Sequence, residues 1–93
     1  MRISAIQKDT LFLLYAFEKN KRSLVRQTAM LKMISSQKKE VFPNNYSASC
    51  RTLKKNGLVN IERDDSLFLW LSLTNSGREL ARNIYEERTA HED

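Results

Sequence analysis

The densest group of side chains able to do chemistry lies between Pro43 and Gly57, where Asn44, Asn45, Ser47, Ala48, Arg51, Thr52, Lys54 and Lys55 follow in close succession. On a helix, Tyr46, Cys50 and Leu53 form a narrow apolar stripe. Asn44, Asn45, Ala48, Arg51, Thr52 and Lys55 then point the opposite way, with Ser47 and Lys54 on the flanks. These residue types suit nucleic-acid contact. Arginine presents a planar fork that matches O6 and N7 of guanine, an asparagine amide matches adenine, short side chains permit close approach, and lysine is a point charge for phosphate. The same composition also suits an ordinary solvated helix face. Lys38 and Lys39 precede this segment and are candidate phosphate clamps, although a lysine pair in a loop is equally common as solubility chemistry. Arg22, Arg26 and Arg63 are further candidate phosphate contacts.

Other chemistries lack equipment. His91 is the single histidine and lies in the polar tail, which leaves no basis for a metal site or for histidine acid–base catalysis. Gly57 and Gly77 are the only glycines, so no phosphate-cradling glycine-rich loop exists. Cys50 has neither a histidine nor a second cysteine as partner, and on the inward stripe of its helix it reads as a small hydrophobe rather than a redox sensor. Met30 and Met33 read as core filler. No catalytic activity and no cofactor are expected.

The elements that must carry these residues are legible in the apolar spacing. A first helix spans Ser4 to about Lys19, with Ser4 as N-cap and Ile3, Ile6, Thr10, Leu13, Leu14 and Phe17 on one face. Its other side carries Leu11, Phe12 and Tyr15, which must be covered by the C-terminal helix or by another subunit. After a polar loop at Lys19–Ser23, a short extended piece at Leu24 and Val25 leads into a second helix ending near Ser36. Gln37–Pro43 is a connector. A third helix follows, capped by an asparagine after Pro43 and stopped by Gly57 near Asn56. Leu58–Arg63 and Leu67–Leu73 are strands of a hairpin turning at Asp64-Asp65-Ser66. A turn centred on Asp64 and Asp65 places Val59 and Ile61 on one face with Phe68 and Trp70, and Leu58, Leu67, Leu69 and Leu71 on the other. Thr74 caps a last helix bearing Leu80, Ala81, Ile84 and Tyr85.

Ninety-three residues, 41% of them apolar, with two glycines and one proline, describe one ordered, mainly helical domain over residues 1–93, ordered from about 4 to 90. Charge is polarised along the chain. Residues 1–57 hold twelve basic side chains against three acids, a balance of +9, whereas residues 58–93 balance to −4. That distribution fits a phosphate-backbone binder, and it also fits a solvated charged surface. One cysteine forms no internal disulfide, and the longest apolar run, Leu11–Phe17, is far too short to span a bilayer, so the expected location is cytoplasmic.

Two strings carry a family likeness. Leu53-Lys54-Lys55-Asn56-Gly57-Leu58-Val59 resembles a recognition helix running into the first strand of a wing, and Leu73-Thr74-Asn75-Ser76-Gly77-Arg78-Glu79-Leu80 resembles the Leu-Thr-x-x-Gly-Arg junction after the second wing strand in MarR-like and PadR-like regulators. The resemblance covers about residues 4–90. It implies an α+β, mainly α, winged helix-turn-helix domain: three helices, a two-stranded hairpin wing and a C-terminal helix, with helix 3 in the major groove of double-stranded DNA. Typical wings carry several basic residues, whereas here Arg63 stands beside Asp64 and Asp65. The expected function is a sequence-specific transcriptional regulator acting as a repressor. The alternatives are a plasmid or phage replication or partition factor, and a winged-helix protein-interaction module. A homodimer is expected on a pseudo-palindromic site, with Leu11, Phe12, Tyr15, Phe68, Trp70 and Tyr85 at its interface.

Overall fold

The computed structural model describes residues 2–37 and 40–90. Helix α1 spans Ala5–Lys19 and opens with a reciprocal cap: the Gln7 amide donates to Ser4 Oγ at 3.2 Å, and the Ser4 amide donates to Gln7 Oε1 at 3.0 Å. A two-residue strand β1, Val25–Arg26, leads directly into α2, Gln27–Gln37. Helix α3, Pro43–Lys55, begins two residues earlier than a cap at Asn44 requires. Phe42 occupies the N-cap position without a side-chain hydrogen bond, and Pro43 takes the first turn, where its missing N–H is no loss. Asn44 and Asn45 therefore lie inside the helix. Gly57, at φ +75°, supplies the left-handed residue that ends this segment. Strands β2 (Val59–Arg63) and β3 (Leu69–Leu73) form the hairpin, and α4 spans Asn75–Thr89 with Thr74 as its N-cap.

The sheet has three antiparallel strands in the order β1-β3-β2, where a two-stranded wing was expected. Val59 pairs with Leu73, Ile61 with Leu71, and Arg63 with Leu69. The connection is thus a five-residue loop over 64–68, centred on Ser66. The reason is the Asp64 carboxylate: its Oδ1 accepts from the amides of Ser66 (2.9 Å) and Phe68 (3.0 Å), which closes the loop later than a tight turn would. The register consequently differs by an odd number of residues from the one expected, and the faces exchange. Val59 and Ile61 share the core face with Leu71 and Leu73. Trp70 lies on the outer face, paired with Glu62 on one side and Arg26 on the other.

Helix α1 is the hub, with α2, α3, α4 and β3 all packed on it. The core gathers Leu11, Leu14, Met30, Tyr46, Leu53, Leu71 and their neighbours. Thr10 Oγ1 and Tyr46 Oη meet at 2.9 Å inside it. The second apolar face of α1 is covered by α4 of the same chain. Phe12 stacks on Tyr85 with ring centroids 5.3 Å apart, Tyr15 tilts against Tyr85 at 5.2 Å, and the ion pairs Arg78–Glu18 and Arg88–Asp9 flank the seam. Leu11 is 0% exposed, so it belongs to the core of one chain and offers no surface to a second protomer. Among the described residues, no helix is long and apolar enough to cross a membrane.

Candidate nucleic-acid interface

Helix α3 divides its labour by face. Tyr46, Cys50 and Leu53 are completely buried. On the other side Asn44, Asn45, Ala48, Arg51, Thr52, Lys54 and Lys55 are exposed, in the arrangement that the helical spacing predicts. Ser47 is half-buried, and its Oγ accepts from Gln27 Nε2 at 3.1 Å, which ties the start of α2 to the flank of α3. Thr52 Oγ1 donates to the Ala48 carbonyl at 3.0 Å, so toward a ligand it presents only acceptor lone pairs. Burial pushes the Cys50 thiol up to about 11, and burial also raises the Tyr46 phenol. Neither is ionised near neutrality, and both serve the anchored side of the helix.

Between α3 and the hairpin runs a cleft of about 610 Å³, lined by Gln27, Ser47, Arg51, Lys54, Lys55, Ile61, Arg63 and Leu69. Four of these residues are cations and none is an acid. Arg63 ends β2 on the same face as Ile61, and the strand alternation turns it toward α3 while Glu62 points the other way. A basic concavity of this kind concentrates positive potential where a polyanion would lie. Gln27 went unnoticed in the sequence because a single polar residue at a helix start carries no signal beyond its position. Its role here is to hold Ser47.

Other expected contacts fall elsewhere. Arg26 lies on the outer face of the sheet, opposite Trp70, with its guanidinium carbon 3.7 Å from the Phe68 ring centroid and 5.8 Å from that of Trp70; it does not line the cleft. Arg22 sits over the Phe17 ring at 5.6 Å. Lys38 and Lys39 lie outside the described residues, as does His91. Phe12, Tyr15 and Tyr85 form the α1–α4 seam, and Phe68 and Trp70 belong to the outer face of the wing. Among the described residues, no group of three His, Cys, Asp or Glu is placed to hold a metal ion.

No family model matches the chain, and no curated protein matches it. Solved structures do. The chain is similar to RosR of H. salinarum, with a TM-score of 0.76 at 20% identity over 98% of this chain and 80% of that one. It is similar to MepR, a transcription regulator of the Staphylococcus aureus multidrug efflux pump MepA, with a TM-score of 0.71 at 22% identity over 95% of this chain and 62% of that one. It is also similar to AdcR, the adhesin competence repressor of Streptococcus pyogenes, with a TM-score of 0.66 at 20% identity over 97% and 57% of the two chains. These three are winged-helix transcription regulators of the MarR family. What the likeness shows is the fold: this chain is an α+β winged helix.

Proposed function

We propose that this protein is a sequence-specific double-stranded-DNA-binding transcription regulator, with no catalytic role, that lays α3 in the major groove and represses by occupying a promoter site. The observation that carries this reading is the α3–wing cleft, where Arg51, Lys54, Lys55 and Arg63 converge without a carboxylate beside the fully exposed polar face of α3. The likeness to RosR, MepR and AdcR supports it at the level of fold. A major groove about 12 Å wide admits a helix. Arg51 is then the side chain suited to a bidentate guanine contact, Asn44 and Asn45 are suited to adenine at the helix start, and Lys54, Lys55 and Arg63 hold flanking phosphates.

A homodimer on a pseudo-palindrome completes the reading, with the half-exposed seam of Phe12, Tyr15 and Tyr85 as the surface for the second protomer. Two copies of α3 would lie about 34 Å apart, one turn of DNA. Three phosphate contacts per protomer, at about −0.9 each, correspond to a slope of roughly −5 in log affinity against log salt for the dimer. The test is a salt titration against a random duplex, followed by selection from a randomised library. A steep negative slope and an enriched two-fold motif are expected. Absence of duplex binding at low salt rejects the reading.

A further inference from the structure

Arg26 was a natural candidate for a phosphate ligand, yet its surroundings describe a different task. It stands in β1 directly across from Trp70 in β3. Its guanidinium carbon lies 3.7 Å from the centre of the Phe68 ring, and its Nε is buried with no hydrogen-bond partner. The head is therefore held by aromatic faces rather than by a carboxylate, an arrangement open to the planar guanidinium and poorly suited to an ammonium. Trp70 in turn donates its indole N–H to Asp64 Oδ2 at 2.9 Å, and the other Asp64 oxygen accepts the amides of Ser66 and Phe68. Contacts thus run unbroken from β1 through Arg26, Phe68, Trp70 and Asp64 to the wing loop.

That loop needs a fastening. Leu67 is held at φ 69°, a left-handed conformation costly for a branched side chain, and it stands 70% exposed at the apex, where burial does nothing to offset the strain. Asp64 directly follows Arg63, the last residue of β2, so the loop begins where the Arg63 side chain leaves the strand that turns it toward α3.

We propose that Arg26 is a positioning residue of the wing: stacked on Phe68 and Trp70, it locks the 64–68 loop and so aims Arg63 at the cations of α3, without itself holding DNA phosphate. The assignment rests on the DNA-binding reading above, and its test separates the two.

Trp70 is the only tryptophan, so its emission reports the lock in the free protein. Arg26→Ala, Arg26→Lys and Asp64→Asn should each move that emission to longer wavelength and increase its quenching by acrylamide, with helical circular dichroism retained. Arg26→Ala and Arg26→Lys should both weaken binding to a random duplex by about fivefold, the scale of one exposed cation–π contact, and the two variants should share one salt slope, because lysine keeps the charge but not the aromatic stack. The lock is overturned if Trp70 emission is unchanged in all three variants. It is also overturned if Arg26→Ala lowers the slope by about one unit and Arg26→Lys restores it, the behaviour of a phosphate ligand. If the unmodified protein binds no duplex, the DNA reading falls, and the fluorescence of the free variants alone decides whether Arg26 fastens the loop. Should Arg26→Ala fail to fold, Arg26→Lys and Asp64→Asn carry the same comparison.

Discussion

Arg51 and Lys55 stand one helical turn apart on the open face of α3, and their heads predict separable defects. Arg51→Ala should cost about 1–3 kcal/mol on the preferred site and relax the preference at one base pair, whereas Lys55→Ala should weaken all sequences alike and flatten the salt slope by about one unit. Competition between selected and scrambled duplexes at several salt concentrations distinguishes the two. On the buried side, the hydroxyl of Thr10 already donates to the Ile6 carbonyl, so Tyr46 must be the donor in the pair they form. Thr10→Val would leave the Tyr46 hydroxyl in the core with no acceptor, a loss of about 1–3 kcal/mol, while Tyr46→Phe leaves Thr10 still bonded and should be milder. Urea denaturation of the two variants should rank them in that order. Cys50 supplies a pH test. Its thiol ionises near 9.0 when unfolded but keeps its proton to about 11 in the fold, so the stability it contributes is full below pH 9 and declines as pH rises toward 11. At pH 8 iodoacetamide should label the native protein far more slowly than the urea-unfolded one.

The junction between β3 and α4 accounts physically for the Leu-Thr-x-x-Gly-Arg string. Thr74 donates its hydroxyl to the Gly57 carbonyl at 2.6 Å and accepts the Gly77 amide at 2.9 Å, thereby pinning the end of α3 to the start of α4. A Cβ at Gly77 would run into the carbonyl oxygen of Leu58, and Arg78 reaches back to Glu18 in α1. Gly77→Ala should therefore destabilise by about 3 kcal/mol, measurable as a lowered Tm, with helical content preserved below the transition. Helix limits with a local cap signal were readable, since Ser4, Thr74 and Gly57 each act within one turn of the backbone they cap, whereas the start of α3, where Phe42 makes no side-chain cap, was not. Strand register was not. It depends on which amides the Asp64 carboxylate captures and on Val25 and Arg26 pairing with β3 from more than forty positions away, and neither leaves a mark in apolar alternation. The exposed set on α3 was legible from its period. The place of Arg26 on the outer face was not legible, because its aromatic partners become neighbours only in the folded sheet.

At the scale of the molecule, α4 lies on α1 and β3, so the C-terminal helix packs against the hub and the wing strand, while α3 keeps its polar face open. Because α4 already covers the second face of α1, the apolar area left for a partner is smaller than the sequence alone implied. The dimer should accordingly be concentration-dependent: light scattering is expected to show dimer at high micromolar concentration and on DNA, and Tyr15→Glu should shift the protein to monomer without unfolding it. Monomer at all concentrations, with one protein per site, would reject the dimer. The two-sided build of α3 has a consequence for descent as well as for binding. Tyr46, Cys50 and Leu53 carry the folding obligation, and the outward residues touch little else in the chain. The outward residues can therefore be exchanged one by one while the scaffold stands still. Related chains of this shape are free to diverge on this face long before they diverge in form.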